Sequence, residues 1–249
     1  VGLTVFFIIQ NTKSDAVTEM IENSMDINTV FLVHDDEKLL FTEIFFYNSQ
    51  TGKGALLDIP GETGVIIEKF GKIDRIDRLY DPRKPEEYVR AVEKMINQEI
   101  HFYLQVEIDK MSALVDIIGG LELFVANPVE IIDAGTGNTV LIPSGSISLD
   151  GDKAELYITY HDPEETDVDI SGRKEKFIQA MLKTFQKKGQ WLTSPKVFRH
   201  FIKNINANIS NAGVAAFITE MSNLDSGRIV FLRVLGVKRT VDDQELLFS

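Results

Sequence analysis

Apolar positions along this chain recur at two spacings. Alternating or continuous apolar runs predict strands at 29–33 (TVFLV), 39–47 (LLFTEIFFY), 55–59, 100–106, 121–125 and 228–237. The polar stretch Asn48 to Gly54 reads as the turn between the second and third. Spacings of three and four predict helices. One carries Val17, Met20 and Ile21 within 14–25, behind a capping Ser14. Another starts at Pro85 and carries Tyr88, Val89 and Val92. A third, capped by Asp109, carries Met111, Leu114, Val115 and Ile118, and Gly119-Gly120 stops it. A fourth, over 171–187, has the stripe Ile178, Met181, Leu182 and Phe185, and a fifth follows Ser194-Pro195. Strands alternating with helices predict an α/β fold with helices on a central mixed sheet. The simplest organisation is a lead-in, 1–27, and one domain, 28–249.

The first nine residues, VGLTVFFII, form an apolar run ending at Gln10-Asn11-Thr12-Lys13. As a helix it spans ~14 Å, short of a ~30 Å bilayer core. It reads either as a buried strand or as the outer end of a trimmed membrane helix.

Composition narrows the function. The 26 Lys and Arg against 38 Asp and Glu give a formal net charge of −12, which argues against a nucleic-acid scaffold. With no cysteine, disulfides, thiolate metal sites and cysteine nucleophiles are excluded, and an oxidising compartment is compatible.

Several segments resemble, in order, motifs of the LytR-CpsA-Psr family of cell-envelope proteins. Residues 29–36 (TVFLVHDD) resemble its first core strand, which ends in Gly-x-Asp, and Phe41-Thr42-Glu43 stands where the family has Arg-Thr-Asp. Residues 58–63 (DIPGET) resemble Ser-Ile-Pro-Arg-Asp-Thr, and Gly71-Lys72-Ile73 the Lys-Ile that follows. Residues 114–123 (LVDIIGGLEL), 149–157 (LDGDKAELY) and 173–181 (RKEKFIQAM) resemble three further motifs, so the likeness covers roughly residues 28–240.

The resemblance implies an α-β-α layered domain on the extracytoplasmic face of the bacterial membrane, and it favours a trimmed anchor for residues 1–9. It further implies a polyprenyl-pyrophosphate glycopolymer as substrate. Its phosphate would pass to a cell-wall acceptor with Mg²⁺ assistance. Arginines neutralise the pyrophosphate, carboxylates hold the metal and an apolar groove takes the lipid tail.

The departures bear on that chemistry. The family's arginine positions align with Phe41, Gly61, Thr159, His161, Ile170 and Arg173, and five of these six are not arginine. Carboxylates persist: Asp36 and Asp167 match family aspartates, while Glu43 and Glu62 replace aspartate with one more methylene, which Mg²⁺ geometry must absorb. The implied site therefore holds Asp36, Glu43 and Glu62 as metal ligands, with Glu62 and Arg173 catalytic. Lys72, Arg75, Arg78, His161 and Lys174 would bind substrate.

Each of these residues also has a purely structural reading. Glu43 faces solvent on its strand, Glu62 sits in a solvated turn, Arg173 pairs on the surface with Asp169, and His161 belongs to an acidic loop. Lys72, Arg75 and Arg78 form a solvated patch. Each charge-assisted bond to phosphate is worth roughly 1.5–3 kcal/mol, so losing several weakens phosphate anchoring. The first expectation is a domain that binds a polyprenyl-linked or other amphiphilic envelope precursor, or scaffolds envelope enzymes, with transfer weakened or lost. The second is an active Mg²⁺-dependent transferase. A transcriptional regulator is disfavoured by the charge.

Overall fold

The computed structural model describes residues 15–132, 137, 139–162, 164–224 and 226–249. The apolar run at 1–9 lies outside them. Among the described residues no helix is long and apolar enough to cross a membrane.

Three antiparallel strands come first among the strands: β1 (Asp26–Asp35), β2 (Lys38–Asn48) and β3 (Lys53–Asp58). A short hairpin follows, β4 (Gly64–Ile67) and β5 (Lys72–Arg75). Next come β6 (Phe102–Glu107), β7 (Leu121–Val125), and the hairpin of β8 (Val129–Ile132) with β9 (Thr139–Ile142). Then come β10 (Gly145–Leu149), β11 (Asn206–Ala207) and β12 (Ile229–Arg233), and a last hairpin, β13 (Val237–Val241) with β14 (Gln244–Phe248). The central sheet runs β11-β6-β1-β2-β3-β12. It is mixed, since β1 is antiparallel to β2 but parallel to β6, and β12 is parallel to β3.

The helices are α1 (Ala16–Glu22), α2 (Pro85–Ile96), α3 (Ile108–Ile117), α4 (Gly151–Thr159), α5 (Asp167–Leu192), α6 (Pro195–Phe201) and α7 (Asn211–Asn223). The pleat of β1 and β2 sorts the core into two layers. Val30, Leu32 and Ile44 pack on Tyr88, Val89 and Val92 of α2. On the opposite face, Val33, Phe41, Phe45 and Leu104 join residues of α3, α5 and α7. This is the expected α-β-α sandwich.

Several local expectations are corrected. Asp15, not Ser14, caps α1, accepting from the Val17 amide at 2.9 Å. The helix expected behind Asp109 begins earlier: Glu107 is its N-cap residue and Asp109 sits in its first turn. The fourth helix, expected over 171–187, spans 26 residues from Asp167. Its start is a capping box. The Thr166 side chain accepts from the Asp169 amide, and Asp169 accepts from the Thr166 amide at 3.0 Å. The strand expected over 228–237 ends at Arg233. The glycine stop behaves as expected: Gly120 has φ +89°, and a Cβ there would lie 2.9 Å from the Leu149 carbonyl.

Candidate functional site

Alternation aims one residue in two of β1, β2, β3 and β6 at α5 and α7. Between these layers lies a cavity with about 1000 Å³ of empty space, open solvent at its mouth included. Its walls include Phe45 and Leu104 from the sheet, Phe177 and Met181 from α5, and Phe217 and Ile218 from α7. Among the described residues Glu43 is the one charged side chain lining it. The aromatic side chains Phe41, Phe45 and Phe177 stand in its walls and leave this space between them.

Glu43 is 4% exposed, which corrects the solvent-facing reading. It shares the pleat face of Phe41 and Phe45 and pairs in register with Asp58 of β3. Asp58 in turn pairs in register with Arg233 of β12. Two strand pairings thus set Glu43, Asp58 and Arg233 in a row across the sheet at one end of the cavity. From above, α5 adds Ser171 and Lys174. Ser171 Oγ donates to Asp58 Oδ2 at 3.2 Å, and Lys174 Nζ lies 3.3 Å from Asp58 Oδ1. Arg233 Nε is 3.6 Å from Asp58 Oδ2, and its guanidinium also donates to the Asp167 carbonyl. Lys174 Nζ stands 5.7 Å from the centre of the Phe41 ring.

Asp58 therefore has three partners, whereas the Glu43 carboxyl has no hydrogen-bond partner among the described residues. Burial, and secondarily the Asp58 carboxylate beside it, push the Glu43 carboxyl well above its ordinary value; Lys174 opposes this only in part. An unpartnered, buried carboxyl next to a second carboxylate suits a hard cation, which needs one or two carboxylates and keeps several waters. Glu43 and Asp58 are the pair that would hold Mg²⁺.

The structure distributes the other sequence candidates differently. Asp36 is exposed in the β1–β2 turn at φ +46°. Glu62 lines a separate polar cleft with Arg75, Arg78, His161 and Lys238. Among the described residues no group of three His, Asp or Glu side chains is arranged to hold a metal ion, so Asp36, Glu43 and Glu62 are not brought together. His161 is exposed. Lys72 pairs with Asp74 at 3.0 Å on its hairpin and does not line the cleft. Arg75 is bound to Asp77. A Cβ at Gly61, the position of a family arginine, would meet Asp77 Oδ2 at 2.6 Å, so the chain has closed around that glycine.

Asp167 links the row of charges to the cleft. Its carbonyl accepts from Arg233, and its carboxylate lies 2.7 Å from Lys238. The C-terminal hairpin that carries Lys238 is tied down by the Leu247 amide, which donates to the Glu62 carbonyl at 2.9 Å.

Arg173 does not pair with Asp169 on the surface. It is 7% exposed, donates to Glu165 and to the Tyr160 carbonyl, and stacks over the Tyr160 ring. Its neighbour Lys174 is the cation that reaches Asp58 and the Phe41 ring in the cavity wall. Arg173→Ala is expected to cost about 3 kcal/mol, because it strands Glu165 and a carbonyl at a buried site. Urea unfolding reads this; a loss under 1 kcal/mol would contradict a locking role.

Sequence reasoning missed Asp58 and Arg233. The signal was present: Leu56 and Asp58, then Ile229, Phe231 and Arg233, each alternate on one face. The strand neighbours that join them were not legible.

A family model described as LytR_cpsA_psr family matches residues 43–248. Among sequence relatives, a probable cell wall biosynthesis protein LcpB of Corynebacterium glutamicum is 26% identical over 157 residues, covering 63% of this chain and 37% of that protein. The polyisoprenyl-teichoic acid–peptidoglycan teichoic acid transferase TagU of Bacillus mycoides is 26% identical over 165 residues, covering 66% of this chain and 52% of its own length. The chain thus spans about half or less of these relatives. In fold it is similar to B. subtilis TagV (TM-score 0.79, 16% identity, 90% of this chain and 91% of that one). It is also similar to TagT bound to LI-WTA (TM-score 0.71, 14% identity, 90% and 84%).

Proposed function

The chain belongs to the LytR_cpsA_psr family, and from that membership we propose that it binds a polyprenyl-(pyro)phosphate or similar amphiphilic envelope precursor, with phosphotransfer weakened. The place of action is the extracytoplasmic face of the bacterial membrane, and the partners are a lipid-linked glycopolymer and a cell-wall acceptor or envelope enzymes. One observation carries the reading: an apolar cavity ends on a charged cluster. The tail lies between the sheet and α5. Each buried methylene contributes about 0.8 kcal/mol, so a few isoprene units outweigh any single phosphate contact.

The phosphate end meets Lys174 and Arg233. Both already serve Asp58, and Arg173 is committed to Glu165. Two or more added negative charges compete with Asp58 for two cations. Retention therefore comes mainly from the tail, and the phosphate grip is weak.

The alternative is an efficient Mg²⁺-dependent transferase moving glycopolymer phosphate to the wall, and the unpartnered Glu43 carboxyl favours it. The metal, when bound, supplies positive charge against the phosphate oxygens. Glu43 and Asp58 hold it there, Lys174 and Arg233 orient the phosphate, and the apolar walls exclude water.

The readings separate on the purified chain incubated with a polyprenyl-pyrophosphate saccharide, with and without Mg²⁺. Native mass spectrometry is expected to show one lipid bound per chain, and chromatography slow release of polyprenyl phosphate. Fast Mg²⁺-dependent release overturns the weakened-transfer reading, and absence of lipid uptake overturns both.

A further inference from the structure

Charge is distributed very unevenly in this acidic chain. Between Glu175 and Glu220 there is no Asp or Glu, while Lys and Arg recur from Lys176 to Lys203. Its basic part, Lys176 to Lys203, is the second half of α5, all of α6 and the turn after it. Lys196, Arg199, His200 and Lys203 are spaced i, i+3, i+4 and i+7, and all four are exposed. Phe201 on the opposite side is buried. Lys183 is exposed on α5. Lys183, Lys196, Arg199 and Lys203 form no ion pair among the described residues, unlike Lys174 or Lys187. Trp191, the one tryptophan of the chain, is 47% exposed in the last turn of α5, between the two groups of cations.

The cavity leads to this end of the molecule. Its α5 stripe runs from Phe177 through Met181 to Phe185, and Phe185 packs edge-on against Phe201 of α6 at 6.3 Å. Lys174 and Phe185 are eleven residues apart, roughly 16 Å along the helix axis. The charged mouth and the basic, tryptophan-bearing end are therefore at opposite ends of one apolar passage.

We infer that the face formed by the end of α5 and by α6 docks on an anionic lipid bilayer, through Lys183, Lys196, Arg199 and Lys203, with Trp191 entering the headgroup layer. Four exposed, unpaired cations on a chain of net charge −12 make a local positive patch, and a bilayer of acidic phospholipid presents the complementary surface. A half-exposed tryptophan among lysines suits the interface between headgroups and acyl chains. A soluble anionic polymer would satisfy the cations but leave the tryptophan without a role. The docking stands on the charge pattern. Its consequence rests on the lipid-binding reading above: a prenyl tail leaving the cavity at Phe185 and Phe201 emerges towards the membrane.

The full chain is mixed with vesicles of phosphatidylcholine alone or with added phosphatidylglycerol, at low ionic strength, and bound protein is separated by flotation. Binding to the acidic vesicles in excess of the neutral ones is expected, with a blue shift of Trp191 emission and weakening as salt is raised. Each cation near such a surface contributes roughly a five-fold factor in partitioning, so Lys196→Gln, Arg199→Gln and Lys203→Gln together should lower binding by roughly 100-fold. Equal binding to both vesicle types, an unshifted Trp191 spectrum, or native-like binding by the triple variant overturns the inference. Capture by soluble poly(glycerol phosphate) without vesicle binding also overturns it, assigning the face to an anionic polymer. A variant with its cavity filled, Met181→Trp, should still float with acidic vesicles, so failure of lipid uptake and failure of docking are read separately.

Discussion

Replacing Met181 by Trp is expected to lower affinity for a long-chain polyprenyl phosphate by at least 100-fold while leaving the chain folded. Met181 is half-buried on α5 and lines the apolar cavity midway between Phe177 and Phe185. A larger, rigid indole there blocks the passage rather than narrowing its mouth. Excluding a single isoprene unit removes about five carbons from the apolar environment. At ~0.8 kcal/mol each, that is about 4 kcal/mol, several hundred-fold in dissociation constant. The cost to the fold is smaller, because methionine adapts to irregular space and the indole has an existing void to enter. A titration with prenyl phosphates of increasing length checks this: the native affinity should climb with chain length, and that of Met181→Trp should stop climbing after the first units. An unchanged length dependence would mean that the tail lies elsewhere.

The layered fold was legible because β1, β2 and β6 are dense in β-branched and aromatic residues, and because α2 and α5 carry their apolar stripes at helical spacing. Elements held by short-range chemistry were harder to see. The hairpins β4–β5, β8–β9 and β13–β14 are four or five residues per strand, too short for their alternation to stand out. The start of α5 was hidden inside an acidic run, where Asp169 reads as a solvated charge until its bond to the Thr166 amide is seen.

The site divides in the same way. Glu43 and Lys174 were found through motifs, since each lies in a stretch with a recognisable neighbour pattern. Asp58 and Arg233 join the site through strand order, a long-range property: 175 residues separate them, yet they are register partners. Arg173 shows the converse. Its motif marks it as functional, but one residue along a helix turns a side chain by about 100°, so it meets Glu165 while Lys174 meets Asp58.

Glu43→Gln is expected to stabilise the metal-free protein at neutral pH and to abolish its response to Mg²⁺. The Glu43 carboxyl is buried beside Asp58, and its pKa in the fold is raised above the ordinary glutamate value of 4.5. Below that value both the folded and unfolded chains carry the proton, and burial of the neutral acid is tolerated. As pH climbs from 4.5 towards the raised value, the unfolded chain releases its proton while the fold retains it. Stability therefore falls through that window, by at most about 1.4 kcal/mol per pH unit, and the loss is complete once the folded state ionises. Glutamine does not titrate. The variant should match the native chain near pH 4 and exceed it in Tm at neutral pH. Mg²⁺ reverses the order. A cation held by Glu43 and Asp58 favours the ionised carboxyl, so the native Tm should climb with Mg²⁺, by about 2.7 kcal/mol at a hundredfold excess over Kd. The amide offers a neutral oxygen and no charge, so the variant's Tm should stay flat. Thermal melts at acid and neutral pH, with and without Mg²⁺, separate the two effects. A variant less stable than the native chain at neutral pH would mean that Lys174 and Arg233 hold Glu43 ionised. A native chain indifferent to Mg²⁺ would remove the Glu43–Asp58 pair from consideration as a metal site and leave a buried acid whose cost the fold carries for another reason.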